Sequence, residues 1–237
     1  MLLSRRQFIG SAAIAGATTV SGASSALAGE LTGLVLPPIP DSERRIVGAV
    51  ARPAVPATVA PRVAVDSAIN PQLLARARAS FERNRSRVRN TDVVGIADFS
   101  RPSALPRFYL LDTNTGRVSS HLVSHGRGSD PSHSGVLQRF SNAFGSNASS
   151  NGAYVTDDFY YGKYGRSMRV QGLDPSNNNA HARAIVVHSA WYAEPDQVAA
   201  HGRLGRSEGC FAMSQRSLQE TLSRLGPGRF LYADKIA

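Results

Sequence analysis

Cys210 is the only cysteine in the 237 residues, so it has no disulfide partner within the chain and cannot belong to a cysteine-rich metal site. A lone thiol is ordinarily a small buried hydrophobe. Here Gly209 precedes it, and Arg203, Arg206 and Ser207 stand just upstream. The arginines are expected to favour thiolate, and the glycine to let a backbone N–H approach a developing oxyanion. The chemistry so marked is nucleophilic attack on an acyl carbon, which needs a base. His188 ends the most β-like run of the chain, Ala184-Ile185-Val186-Val187, where a side chain is presented rigidly. Ser189 follows, able to orient the imidazole through its hydroxyl or its carbonyl. A satisfied core histidine remains the alternative reading.

Chain order removes two rivals. Gly205-Arg206-Ser207-Glu208-Gly209 fits the G-x-S-x-G pattern, but that serine-hydrolase fold places its histidine after the serine, and His201 is the last histidine here. Papain-like enzymes run cysteine before histidine and fail in the same way. A metal is not expected. His121 and His125 sit in or beside a predicted strand, where four residues span ~13 Å at ~3.3 Å each. No H-E-x-x-H, phosphate-binding glycine loop or dinucleotide fingerprint occurs, so no cofactor is expected either.

The elements that must carry these groups are mostly strands. Asn70-Pro71 opens a helix, with asparagine at the cap and proline at the first helical position. Leu74, Ala77, Phe81 and Val88 share one face of it, and arginines occupy much of the rest. Residues 93–99 and 108–111 are apolar runs, and 108–111 pairs with 117–123 as a hairpin around a loop ending in Gly116. Residues 126–152 are rich in Ser, Asn and Gly and read as a substrate-facing loop region. Residues 167–172 and 184–188 are further strands. Ser217-x-x-Glu220 is read as a capping box for a last helix lined by Leu218, Leu222 and Leu225 and ended by Gly226-Pro227. A strand at 230–233 closes the chain.

Upstream of Asn70 the character changes. Ser4-Arg5-Arg6-Gln7-Phe8, a diluted apolar stretch and Ala26-Leu27-Ala28 read as a twin-arginine signal peptide over 1–28, with an uncleaved anchor as the rival. Residues 29–70 are a Pro/Ala-rich linker or arm, broken by six prolines from Pro37 to Pro61. Export reinterprets the net charge of +10, which is almost wholly arginine, Lys163 and Lys235 being the only lysines. A basic cytoplasmic chain invites a nucleic-acid reading. An exported one meets anionic wall polymers, lipid headgroups or carboxylate-rich substrates. A merely solvated basic surface stays open. With 42% hydrophobic residues the chain can build a core, which excludes wholesale disorder.

Val187-His188-Ser189 and the run Gly202-Arg203-Leu204-Gly205-Arg206-Ser207-Glu208-Gly209-Cys210-Phe211-Ala212 resemble the bacterial L,D-transpeptidases with a YkuD-type catalytic domain, closest to the murein L,D-transpeptidase catalytic domain subgroup. Val123-Ser124-His125-Gly126, Phe140-Ser141-Asn142, Ser149-Ser150-Asn151-Gly152 and Gly162-Lys163-Tyr164-Gly165-Arg166-Ser167 match in order, and the likeness spans about 71–237. It implies that Cys210 attacks the carbonyl between the third residue of a peptidoglycan stem and its terminal D-alanine. It further implies His188 as base and Ser189 as its support, with the N–H groups of Gly209 and Cys210 as the oxyanion hole. The thioacyl-enzyme then passes its acyl group to a diaminopimelate amine, giving a 3→3 cross-link, or to water. Two positions depart from the family: Glu208 stands where a histidine is common, and Ala212 where a polar residue is. The second leaves substrate-carboxylate binding to Arg203 or Arg206, and Ser207 is expected to bind substrate beside them.

The expectation is thus a mostly β, sandwich- or barrel-like catalytic domain at 71–237 with a few flanking α-helices. Its partners are peptidoglycan stem peptides rather than nucleic acid. It is expected to be exported to the periplasm or another extracytoplasmic location, monomeric, and without a membrane span once the signal is cleaved. An L,D-carboxypeptidase, or a catalytically idle wall-binding domain, are the alternatives.

Overall fold

The computed structural model describes residues 69–236. The expected signal at 1–28 and nearly all of the arm at 29–70 lie outside the described residues. None of the described helices is long and apolar enough to cross a membrane.

The first helix, α1 (Pro71–Arg83), starts where the sequence places it: the Asn70 side chain accepts from the N–H groups of Gln72 and Leu73, meeting two of the four orphan donors of the first turn. Eight strands follow: β1 (Val93–Asp98), β2 (Phe108–Asp112), β3 (Val118–His121), β4 (Gly152–Gly162), β5 (Gly165–Gly172), β6 (Val186–Ser189), β7 (Phe211–Met213) and β8 (Phe230–Asp234). Two more helices are interleaved, α2 (Pro195–His201) and α3 (Gln215–Leu225). All eight strands form one sheet in the order β3-β2-β1-β8-β4-β5-β6-β7. Its two ends come together: just past β3, Ser124 bridges Ala212 of β7, its N–H donating to the Ala212 carbonyl at 2.7 Å. The fold is therefore mostly β and barrel-like, a single sheet curled back on itself.

Alternation along the strands divides the core. In β8, Leu231 and Ala233 face one apolar cluster with Phe99, Phe211 and the α3 leucines 218, 222 and 225. Phe230 and Tyr232 face the other, with Leu73, Leu74 and Ala77 of α1. A period of two in the strand and of 3.6 in each helix thus covers the sheet centre on both sides.

Three local expectations are corrected. The last helix begins one turn earlier than the capping box suggests, with Ser214 as the cap and its Oγ accepting from the Ser217 N–H. Glu220 reaches Arg224 and His121 instead of the helix start. Strand β4, the longest, falls where the sequence pattern announces none, because Asp157-Asp158 breaks its apolar run and its register shifts between Thr156 and Phe159.

Candidate active site

Parallel pairing of β6 with β7 aligns His188 with Ala212 and Val187 with Phe211. A parallel neighbour needs a crossover, and residues 190–210, including α2, supply it. Val187 and Phe211 point into the main core. Alternation therefore turns His188 to the other face, while Cys210, just ahead of β7, sits at the margin of that core. Both line one cleft of about 390 Å³, together with Tyr164, Tyr192, Glu208 and a ring of cations. A larger cavity, about 690 Å³ between α1 and strands β1 and β2, contains no cysteine, serine or histidine.

His188 is buried. Its Nδ1 lies 2.8 Å from the Ser189 carbonyl, which can only accept, so Nδ1 carries the proton and Nε2 is left with the lone pair. Ser189 thus holds the imidazole through its backbone, while its hydroxyl donates to the Tyr164 carbonyl at 3.3 Å. The Tyr164 ring stacks on the imidazole at 4.4 Å between centroids. Burial, then the charge of Lys163, push the imidazole below its ordinary range, so it is neutral at pH 7.

The thiol of Cys210 donates to the Ala184 carbonyl at 3.6 Å. Ala184 itself has φ 56°, a left-handed conformation uncommon for a residue with a Cβ. Burial, with the Glu208 charge adding to it, raises the thiol above its ordinary value, outweighing Arg183 and Lys163. This corrects the expectation that nearby arginines favour thiolate: desolvation dominates. The resting pair is a thiol and a neutral imidazole.

The turn before Cys210 is built by Ser207. This buried hydroxyl accepts from the Gly209 N–H at 3.1 Å and donates to the Cys210 carbonyl at 2.8 Å. Ser207 thus braces the turn with its only donor and one of its two lone pairs, while also lining the cleft. The Gly209 N–H, expected in an oxyanion hole, is taken by the same hydroxyl. What Gly209 contributes is conformation: φ is 113°, and a Cβ there would stand 2.6 Å from the Ala148 carbonyl oxygen.

Of the two arginines expected near substrate, only Arg206 lines the cleft, and its Nη1 is tied to the carbonyls of Asp130 and Pro131. Arg203 lines a separate cavity of about 280 Å³ with Trp191 and Leu204, so its expected place beside Cys210 is corrected. Residues that sequence reasoning missed are Arg127, Lys163, Tyr164 and Arg183. The Gly162-x-x-Gly165 turn carries Lys163 and Tyr164 over the cleft and is a visible signal; nothing in the sequence marks Arg183.

A buried polar chain fixes the loop opposite. Arg107, fully buried, donates to the Val123 carbonyl from Nε and Nη2, and its Nη2 meets His125 Nδ1 at 2.8 Å. A guanidinium only donates, so His125 carries its proton on Nε2, 3.3 Å from Asp130. Asp130 also accepts from the N–H groups of Ser134 and Gly135. From this anchor the backbone zips onto the cysteine loop: the Ser207 N–H donates to the His125 carbonyl at 2.9 Å and the Arg127 N–H to the Ser207 carbonyl at 2.8 Å.

The family model of the L,D-transpeptidase catalytic domain matches residues 65–233. Among solved structures, the L,D-transpeptidase from Mycobacterium smegmatis is 15% identical with a TM-score of 0.38, the match covering 60% of this chain and 58% of that one. L,D-transpeptidase 3 from Mycobacterium tuberculosis is 15% identical with a TM-score of 0.39, covering 60% of this chain and 61% of that one. The L,D-transpeptidase from Xylanimonas cellulosilytica is 15% identical with a TM-score of 0.32, covering 70% and 71%. The chain thus spans about three-fifths of the first of these structures. No curated protein matches.

Proposed function

The chain belongs to the L,D-transpeptidase catalytic domain family, and on that premise we propose that it is an exported peptidoglycan L,D-transpeptidase with Cys210 as nucleophile. The observation that carries this is the delivery of Cys210 and His188 to one cleft, with His188 Nδ1 spent on the Ser189 carbonyl and Nε2 left as the base.

That placement supports the following steps. The thiol proton leaves the Ala184 carbonyl for His188 Nε2 as sulfur attacks the carbonyl between the third stem residue and D-alanine. The Cys210 N–H stabilises the developing oxyanion. The imidazolium then protonates the departing D-alanine amine, leaving a thioacyl-enzyme. An amine of a second stem takes the acyl group in a 3→3 cross-link, and the sulfur regains its proton through His188. Because the resting state is thiol and neutral imidazole, His188 acts as a general base rather than as half of a preformed ion pair.

The twin-arginine leader supports action outside the cytoplasm, and the basic cleft suits carboxylate-bearing stems. Incubating the chain from Gly29 onward with tetrapeptide muropeptides and weighing the products is the test. Cross-linked dimers with loss of D-alanine are expected. Tripeptides alone would make it an L,D-carboxypeptidase, and unchanged substrate would leave a wall-binding module.

A further inference from the structure

Glu208 is the one carboxylate lining the cleft, against Arg127, Lys163, Arg183 and Arg206. It pairs with Arg127, Nη2 to Oε1 at 3.0 Å, with the two side chains 67% and 55% exposed. An ion pair this wet contributes little to folding, so stability does not explain it. Its place beside the nucleophile also has a cost, since the negative charge works against ionising the thiol. The backbones beneath are fixed, because Arg127 hydrogen-bonds through its N–H to Ser207 and the buried Arg107–His125–Asp130 chain anchors that loop. The result is two opposite charges, loosely held to each other on a rigid frame, at the rim of the cleft that holds Cys210.

Resting on the transpeptidase reading above, we propose that Arg127 and Glu208 bind the acyl acceptor, Glu208 taking the ammonium and Arg127 the carboxylate of a zwitterionic amino-acid centre. A zwitterion exchanges one ion pair for two, so opening the exposed pair is offset by charge-assisted contacts on both sides. Without Glu208 the rim would be wholly cationic and would repel an ammonium acceptor. Once bound, the ammonium loses one proton to solvent. The amine nitrogen then forms the C–N bond, the C–S bond breaks with its electron pair going to sulfur, and the second amine proton passes through His188 to the thiolate. Arg127 and Glu208 bind and orient; they exchange no proton with the reacting atoms.

The test supplies a tetrapeptide donor with excess glycine, a zwitterion, or glycinamide, a cation lacking the carboxylate. The readout is the ratio of amide to acid product, which does not depend on how much acyl-enzyme each variant makes. Glu208→Gln is expected to lower this ratio for both amines by roughly tenfold, the scale of one charged hydrogen bond. Arg127→Gln is expected to lower it for glycine by a similar factor while leaving glycinamide within about twofold, erasing the preference for the zwitterion. Ratios unchanged in both variants, with the thioacyl adduct on Cys210 seen by intact mass, would overturn this assignment and leave the transpeptidase reading standing. Absence of any adduct in the unsubstituted protein would overturn both.

Discussion

The carboxylate of Glu208 is held by Arg127 at 3.0 Å, not by Arg203 or Arg206, the arginines nearest to it in sequence. The thiol two residues away still feels that carboxylate, which works against its ionisation, and the Arg127 guanidinium offsets part of the charge. Glu208→Gln removes the negative charge and is expected to shift the pH profile of Cys210 alkylation to lower pH. Arg127→Ala uncovers that charge and should shift it upward. Arg206→Ala, whose guanidinium is tied to backbone carbonyls instead, should move it less than Arg127→Ala. Alkylation rate against pH for the three variants checks the order.

Cys210→Ser should lose nearly all turnover, because a hydroxyl facing a neutral imidazole is a far weaker nucleophile than a thiol. His188→Ala should lose on the order of 10²–10⁴-fold, the usual contribution of general acid–base catalysis. Steady-state release of D-alanine measures both, and near-normal turnover in either would rule out the mechanism.

His188 is depressed by burial first and by Lys163 second, so it stays a competent base below about pH 6.5, the ordinary imidazole value. The acid limb of kcat/KM should accordingly lie below that pH. Lys163→Gln removes a positive charge that disfavours imidazolium, and should move the acid limb upward. A limb that stayed in place would mean that a different group governs it.

The buried chain makes a stability prediction. Burial, then the charge of Arg107, hold His125 down to about 4, while in the unfolded chain it titrates near about 6.5. Between those values the unfolded state binds a proton that the folded state refuses. The contribution of neutral His125 is thus complete above about pH 6.5 and is lost as pH falls toward 4. Denaturant midpoints should drop across that window, and His125→Asn should flatten the drop by up to one proton, about 1.4 kcal/mol per pH unit. Asp130→Asn removes one of the two carboxylates, with Asp98, that offset the buried Arg107 charge, and should cost about 2 kcal/mol at neutral pH, the scale of a charged hydrogen bond.

Gly209→Ala tests the cysteine turn. Its φ of 113° and the Ala148 carbonyl 2.6 Å from any Cβ leave no room for a methyl group without moving the chain. Turnover should fall by roughly a hundredfold or more, the scale of a misplaced catalytic group, while far-UV circular dichroism stays close to that of the unsubstituted protein. Full activity would show that the turn adapts.

Several features are legible in the sequence because their physics is local. Asn70-Pro71 starts α1 through contacts within one turn, and Leu218, Leu222 and Leu225 face the core because their spacing matches the helix period. The uniqueness of Cys210 and the position of His188 ahead of it in the chain select one kind of chemistry among its rivals. The tertiary structure decided what depends on distance through space. It matched Glu208 with Arg127, laid Tyr164 on His188, and moved Arg203 out of the cleft. It made Ser207 the brace of the cysteine turn as well as part of the cleft wall. Strand β4 is silent in the sequence for a related reason: its pairing with β5 and β8 supplies the hydrogen bonds that its own polar pattern does not announce. The fold also reversed the sign of the thiol's shift, since neighbouring arginines are visible in a sequence but desolvation exists only once the chain has closed around the sulfur.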